Sequence, residues 1–465
     1  MSGTPLLLAL LLSLGQLPAP REAWINPGST VVPDGSRSAP YRTLTEALGA
    51  LAPGCGLLRL GPGSHRAGVT LPPGCTLQGP SDAILEGGDG PFVLSAPAGV
   101  RLVGLTLREG EAGLSAAGES FAVGTRWLNS RGVAVRLAAG SSFRGGKNHF
   151  QTEVRTLRGV AAEASTLDLT DARFEGPFER GVELKGGSLT LRRAVFEGAA
   201  TAVFQLGETV DLDDLSVQGG QEAAVVLVKV KGSVRRLRVR GHEYALLTRD
   251  TQQLVGEDLY SHGALRAAFG LVRSSARLRG LYALRPGPFG GLQLVQGEVE
   301  VRDFWIHQAR DQAITTRDTR LVLLDGRVTD VTTSDDGGAD AVQVRGGHAT
   351  VQRVAVWRAS GVGLLAAESG EVRARDVQLI GCVQAGAAAE TRGLLSAQRL
   401  TVARSTGPAL VAIEKGRLEI DGLRSVDNAL GLVHAECGTG AQASLGRVVS
   451  SGNTALGEAG CVTRR

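Results

Sequence analysis

Residues 257–307 read EDLYSHGALRAAFGLVRSSARLRGLYALRPGPFGGLQLVQGEVEVRDFWIH. Three short segments in this stretch, DLYSH, GLYAL and DFWIH, return at steps of 22 and 23 residues. Each carries an apolar–any–apolar core, and the pattern continues in both directions. Taking the first apolar residue of each copy, the ladder runs Leu215, Leu237, Leu259, Leu281, Phe304, Val328, Val354, Val377, Leu400, Leu423. A second short strand follows ten to fifteen residues after most of these positions, as in AVVLV, YALLT, AFGLV, GLQLV and AVQVR. The alternation has period 2, and Gly, Asp or Arg-Gly breaks it, so each unit holds two or three short strands joined by tight turns. A unit of this size has no room for a useful helix and cannot bury its apolar face alone. Stacked on its neighbours it can. The period predicts an all-β, right-handed parallel β-helix of about 15 coils of 22–23 residues, with weaker coils back to Leu85 and on to Val448. Leucine-rich repeats share the period, but the Asn or Cys that marks their turn is missing.

Composition agrees with this reading. The 465 residues include 65 Gly, which accept left-handed turn geometry freely, while aromatics make up only 4 %. With 43 % hydrophobic and 21 % charged residues the chain can bury a core, and a net charge of +4 gives no sign of nucleic-acid binding. The run Leu6–Leu14 has the length of a signal-peptide core and is too short to span a bilayer. We therefore expect a leader over 1–23, an N-terminal segment over 24–52 and the β-helix over 53–465, with no membrane span in the mature chain. A secreted, periplasmic or cell-surface location suits the five cysteines. Cys55 pairs naturally with Cys75 and Cys437 with Cys461, leaving Cys382 single; five reduced thiols are the alternative. Cys55 and Cys75 both follow Pro-Gly at equivalent points of successive coils, where adjacent strands lie about 4.8 Å apart, within reach of a disulfide. Before them, TLTEALGAL reads as a short helix, with Thr43 and Glu46 at capping-box spacing and Leu44, Leu48 and Leu51 on one face. Such a helix can cover the open first coil.

The segment DGSRSAPYRTLTEALGALAPG followed by LRLGPGSHRAGVTLPPGCTLQG resembles the entry segment of exported pectin-lyase-like β-helix proteins, over about residues 32–88. That resemblance implies the fold and a general link to polysaccharides. A fold shared by many activities does not specify one.

Carboxylate clusters are the first place to look for chemistry. The hydrolase-like set of Asn-Thr-Asp, Asp-Asp and Gly-His-Gly is incomplete here; the nearest approach is TSDDGGADAVQVRGGHA. Its Asp335, Asp336 and Asp340 could hold Ca²⁺, or form an ordinary solvated turn. A second constellation follows from the coil register. If Leu259, Leu281 and Phe304 point inward, the residues one before, one after and three after point outward. These include Arg236, Arg238 and Arg240, then Asp258, Tyr260 and His262, then Tyr282, then Asp303, Trp305 and His307. Rings, Arg forks and carboxylates on a flat sheet suit an acidic sugar chain. The same residues could instead form cross-strand and cation–π rungs that only stabilise the sheet. No phosphate loop, nucleophile setting or zinc site is recognisable. The expectation is an exported, non-catalytic scaffold that binds polysaccharide or a cell-envelope protein along an outer face. A polysaccharide lyase or glycoside hydrolase is the alternative.

Overall fold

A computed structural model describes residues 22–334, 339–454 and 460–465. The chain forms two compact units, Met1–His149 and Phe150–Arg465. Each is a parallel β-solenoid, and together they contain about 18 turns.

The strand Gly290–His307 shows how one coil is made. It pairs in parallel with Ala267–Leu284 before it and Gln312–Val331 after it. It bends at Gln296 and at Asp303, where φ is 56° and 55°, and Gln308 closes the coil at 55°. Three straight legs result, 292–295, 297–302 and 304–307, forming what we call the first, second and third faces. Along them Leu292, Leu294, Val299, Val301, Phe304 and Ile306 point inward and are buried. A left-handed corner costs most side chains conformational energy, and Gly, Asn and Asp tolerate it best. A corner of this kind opens the third leg in coil after coil: Asp171, Arg193, Asp214, Arg236, Asp258, Gly280, Asp303, Asp325, Arg353, Asp376 and Arg399 all have φ between 49° and 67°. Opposite charges along this column pair across coils, with Arg193 Nε 2.6 Å from Asp171 and Arg399 Nε 2.5 Å from Asp376.

One rung departs from the sequence-derived ladder. Phe304 pairs with Gly326, and Gly326 with Val354, so Val328 belongs two residues further along, between Ile306 and Val356. The apolar pattern favoured Val328 because the true inward position carries no side chain. A Cβ on Gly326 would lie 2.0 Å from the Phe304 ring, which occupies that space itself. The coil count also rises from the expected 15. In the first unit the steps are uneven, from Leu58 to Leu77, to Leu102, to Ala122, so a 22–23-residue rule passes over them.

In the first unit, strand β1 (Glu22–Ile25) pairs in parallel with β2 (Leu57–Leu60), so a rung forms upstream of the helix. Helix α1 (Leu44–Leu51) lies beside β1. Thr43 Oγ1 accepts the Glu46 amide at 3.1 Å, and Glu46 Oε2 accepts the Arg42 amide at 3.0 Å. Its buried residues are Leu44, Ala47 and Leu51, with Leu48 only half buried. Disulfides join Cys55 to Cys75 and Cys437 to Cys461, with Cα separations of 4.9 and 5.4 Å. Cys382 is a buried free thiol whose pKa burial pushes up to about 12.

Two buried histidines bear on pH. His242 Nε2 accepts the Gly220 amide at 3.1 Å while Nδ1 faces the Glu222 carbonyl at 3.1 Å, an arrangement that needs the neutral ring. Burial lowers the pKa of His242 and, in the first unit, of His65. The unfolded chain then binds these protons more readily, so their contribution to stability is present above about pH 6.5 and lost as pH falls. The melting temperature of the intact protein is expected to drop between pH 7 and 5, and His242→Gln to flatten that drop. An unchanged slope in the variant would assign the acid sensitivity elsewhere.

Candidate functional site

The third face of the second unit carries two outward columns. In the first, register places Arg238, Tyr260, Tyr282, Trp305 and Arg327 side by side on consecutive coils. In the second, two residues further along each strand, stand Arg240, His262, Leu284, His307, Thr329 and Trp357. Adjacent rungs are about 4.8 Å apart. Tyr282 and Trp305 are 40 % and 38 % exposed, while Tyr260, His262, His307 and Trp357 are half-buried. Inward neighbours Leu259, Leu281 and Phe304 fix this orientation, because a strand turns alternate side chains to opposite faces.

Hydrogen bonds hold the downstream end. Trp305 Nε1 donates to Thr329 Oγ1 at 3.2 Å, and the same hydroxyl lies 2.7 Å from His307 Nδ1. The Trp305 and His307 rings are tilted against each other with centroids 5.4 Å apart. Behind them Asp330 Oδ2 is 3.3 Å from His307 Nδ1. Both Asp330 oxygens accept from Arg358, at 2.5 and 2.9 Å, and this guanidinium holds the Asp330 carboxyl below its usual range. Arg327 lies over the Trp357 ring at 5.0 Å. At the other end, Arg238 Nη1 reaches Asp214 Oδ1 at 3.4 Å, and not the ring beside it.

The other expected site residues divide differently. Arg236, Asp258 and Asp303 are exposed, but they occupy the left-handed corner and sit at the border of the face. Arg236 pairs with Asp213 at 2.6 Å and Asp303 with Arg279 at 3.0 Å, so the Asp-x-aromatic-x-His pattern joins a corner residue to two sheet residues. Asp335 and Asp336 lie outside the described residues. Asp340 Oδ1 accepts the Val362 amide at 2.8 Å and Oδ2 the Gln343 side chain at 3.0 Å, and burial raises its pKa. Each Asp340 oxygen thus accepts one hydrogen bond. Among the described residues no three His, Cys, Asp or Glu side chains are grouped to hold a metal. No described helix is long and apolar enough to cross a membrane.

Sequence reasoning missed Arg327, Thr329 and Trp357. The two-residue slip at Gly326 misplaced Arg327 and Thr329, and a Gly in an otherwise apolar column is the signal that would have exposed it. Trp357 lies three residues after Val354, the offset of His307 from Phe304, so the same register rule reaches it.

No protein-family model and no curated protein matches the chain. Among solved structures, the catalytic domain of a GH87 alpha-1,3-glucanase bound to tetrasaccharides is 9 % identical, covering 86 % of this chain and 64 % of that one, with a TM-score of 0.28. The chain thus spans less than two thirds of that domain. The PL6 family alginate lyase AlyGC, as an arginine-to-alanine variant, is 9 % identical over 89 % of this chain and 98 % of its own, with a TM-score of 0.22. The A-module of the mannuronan C-5 epimerase AlgE6 from Azotobacter vinelandii is 13 % identical over 89 % and 95 %, with a TM-score of 0.17. Likeness at these scores carries no argument about activity or substrate.

Proposed function

We propose that this is an exported, non-catalytic β-helix protein that binds an extended glycan along the third face. The observation that carries the reading is the column Tyr260, Tyr282, Trp305, with Arg238 and Arg327 at its ends. Its rung spacing is close to the length of one sugar unit. A chain running across the strands can therefore present successive apolar ring faces to successive side chains, while the end guanidiniums take hydroxyls or carboxylates. Two disulfides suit an oxidising compartment.

The test is a panel of uronate-rich and neutral polysaccharides scored for binding and for new reducing or unsaturated ends. Tyr282→Ala and Trp305→Ala are each expected to weaken binding about tenfold, as the loss of about 1.4 kcal/mol of ring contact implies. Stability should change by less than about 1 kcal/mol, because these rings are partly exposed. Binding that ignores both substitutions would make the column a purely structural stack. New chain ends that vanish in His307→Ala would replace binding by catalysis.

A further inference from the structure

The second face of the same unit holds a groove of a different character, with a volume of about 640 Å³ between Thr350 and the last residues of the chain. A smaller cavity of about 260 Å³ continues it upstream, sharing Thr350 and Arg373. No Phe, Tyr or Trp lines either cavity. What the larger groove presents instead is charge sorted by rung. Thr350 and Gln352 occupy one rung, Arg373 and Arg375 the next. Ser396 and Gln398 follow, then Glu419 and Asp421. Two guanidiniums thus face two carboxylates across a neutral rung, about 10 Å apart by two strand spacings.

These charges are not consumed by one another. Among the described residues no ion pair involves Arg373 or Asp421, and both are exposed. Arg375 has only a 3.7 Å approach to Asp376, whose two oxygens Arg399 already binds at 2.5 and 2.6 Å. Glu419 touches Ser396 at 3.4 Å and Arg417 at 3.5 Å. Further along, the Ser444 hydroxyl is buried in the groove wall without a partner.

We propose that this groove binds a peptide segment in the polyproline II conformation carrying an acidic and a basic side chain three residues apart. A polyproline II chain rises about 3.1 Å per residue with three residues per turn, so side chains three apart lie on one side and about 9 Å from each other, close to the separation of the Arg rung and the acidic rung. Acidic polysaccharides carry charges of one sign, which would leave one of the two rungs repelled. A polypeptide readily carries both. The Ser396 and Gln398 rung then offers donors and acceptors to the intervening backbone. The partner is a protein with an exposed tail of mixed charge, held on a face other than the aromatic one.

The experiment uses the full chain and short labelled peptides with Glu and Lys three residues apart, Glu alone, Lys alone, or neither, read by fluorescence anisotropy at low salt. The mixed peptide is expected to bind about tenfold or more tighter than the single-sign ones, and binding should weaken as salt screens the contacts. In R373E/R375E both charged rungs become acidic, although Arg465 also lines the groove, so the mixed peptide should lose about tenfold while the Lys-only peptide gains. Glu419→Lys with Asp421→Lys should shift preference to the Glu-only peptide. Because all four residues are surface-exposed or half-exposed, the fold serves as its own control through an unchanged circular dichroism spectrum. Equal affinity for all four peptides in the wild type, or preferences that charge reversal leaves in place, would overturn the proposal. So would loss of glycan binding in R373E/R375E without any peptide binding, since the groove would then belong to the sugar chain.

Discussion

Phe174→Ala is expected to cost the second unit about 3–5 kcal/mol, the range for a fully buried ring removed from a core. Phe174 lies between Phe150 and Phe196, with ring centroids 4.4 and 4.5 Å apart and planes within 8° of parallel. Phe178 meets its edge at 6.2 Å. All four rings are buried, so the space vacated has no access to water and the neighbouring coils, tied by their ladders, cannot close it. A solenoid loses structure coil by coil rather than all at once, so hydrogen exchange of individual strands is the better measurement. Protection should fall first in the strands carrying Phe150, Phe174 and Phe196. A loss below about 1 kcal/mol would mean that the stack adds nothing beyond ordinary apolar contact.

Gly326→Val is the second large effect, of about 3 kcal/mol or more, from the opposite cause. The new Cβ would fall 2.0 Å from the Phe304 ring, and the ring cannot swing outward without leaving the core. Overpacking of this kind usually costs about 1–3 kcal/mol, and here backbone and ring are both confined. Phe304→Val placed in the same chain should recover much of the loss, because it empties the contested space. That coupling distinguishes a clash from a backbone effect, since removal of the ring would not relieve the latter. Two independent, additive losses would refute the assigned register.

The fold was legible because burial imposes a strict condition on a repeated unit. Leu215, Leu237, Leu259 and Leu281 must occupy the same inward place, and a period of 22 leaves few architectures able to provide it. The aromatic column was legible for the same reason, since inward Leu281 forces Tyr282 outward. Reasoning from apolar pattern fails where the inward place is empty, as at Gly326, and the error shifted Arg327 and Thr329 out of their columns. It fails also at corners. Asp258 and Asp303 looked like sheet residues because alternation in a sequence carries no sign of a left-handed φ. The groove on the second face was invisible for a different reason: its meaning lies in which charges remain unpaired, and pairing across 23 residues is a property of the coil stack.

The corner column has one more consequence. Its first five members alternate in sign, Asp171, Arg193, Asp214, Arg236, Asp258, and Asp325, Arg353, Asp376 and Arg399 alternate again. Exposed ion pairs of this sort add little to stability, about 0–1 kcal/mol each. Their effect on errors is larger. A repetitive chain can misassemble by omitting a turn and stacking each coil on the next but one, and hydrophobic columns of similar Leu and Val would hardly resist it. The omission would bring Asp171 against Asp214 and Arg193 against Arg236, turning each attraction into a repulsion. The alternation acts as a parity check, accepting a neighbour one turn away and rejecting one two turns away.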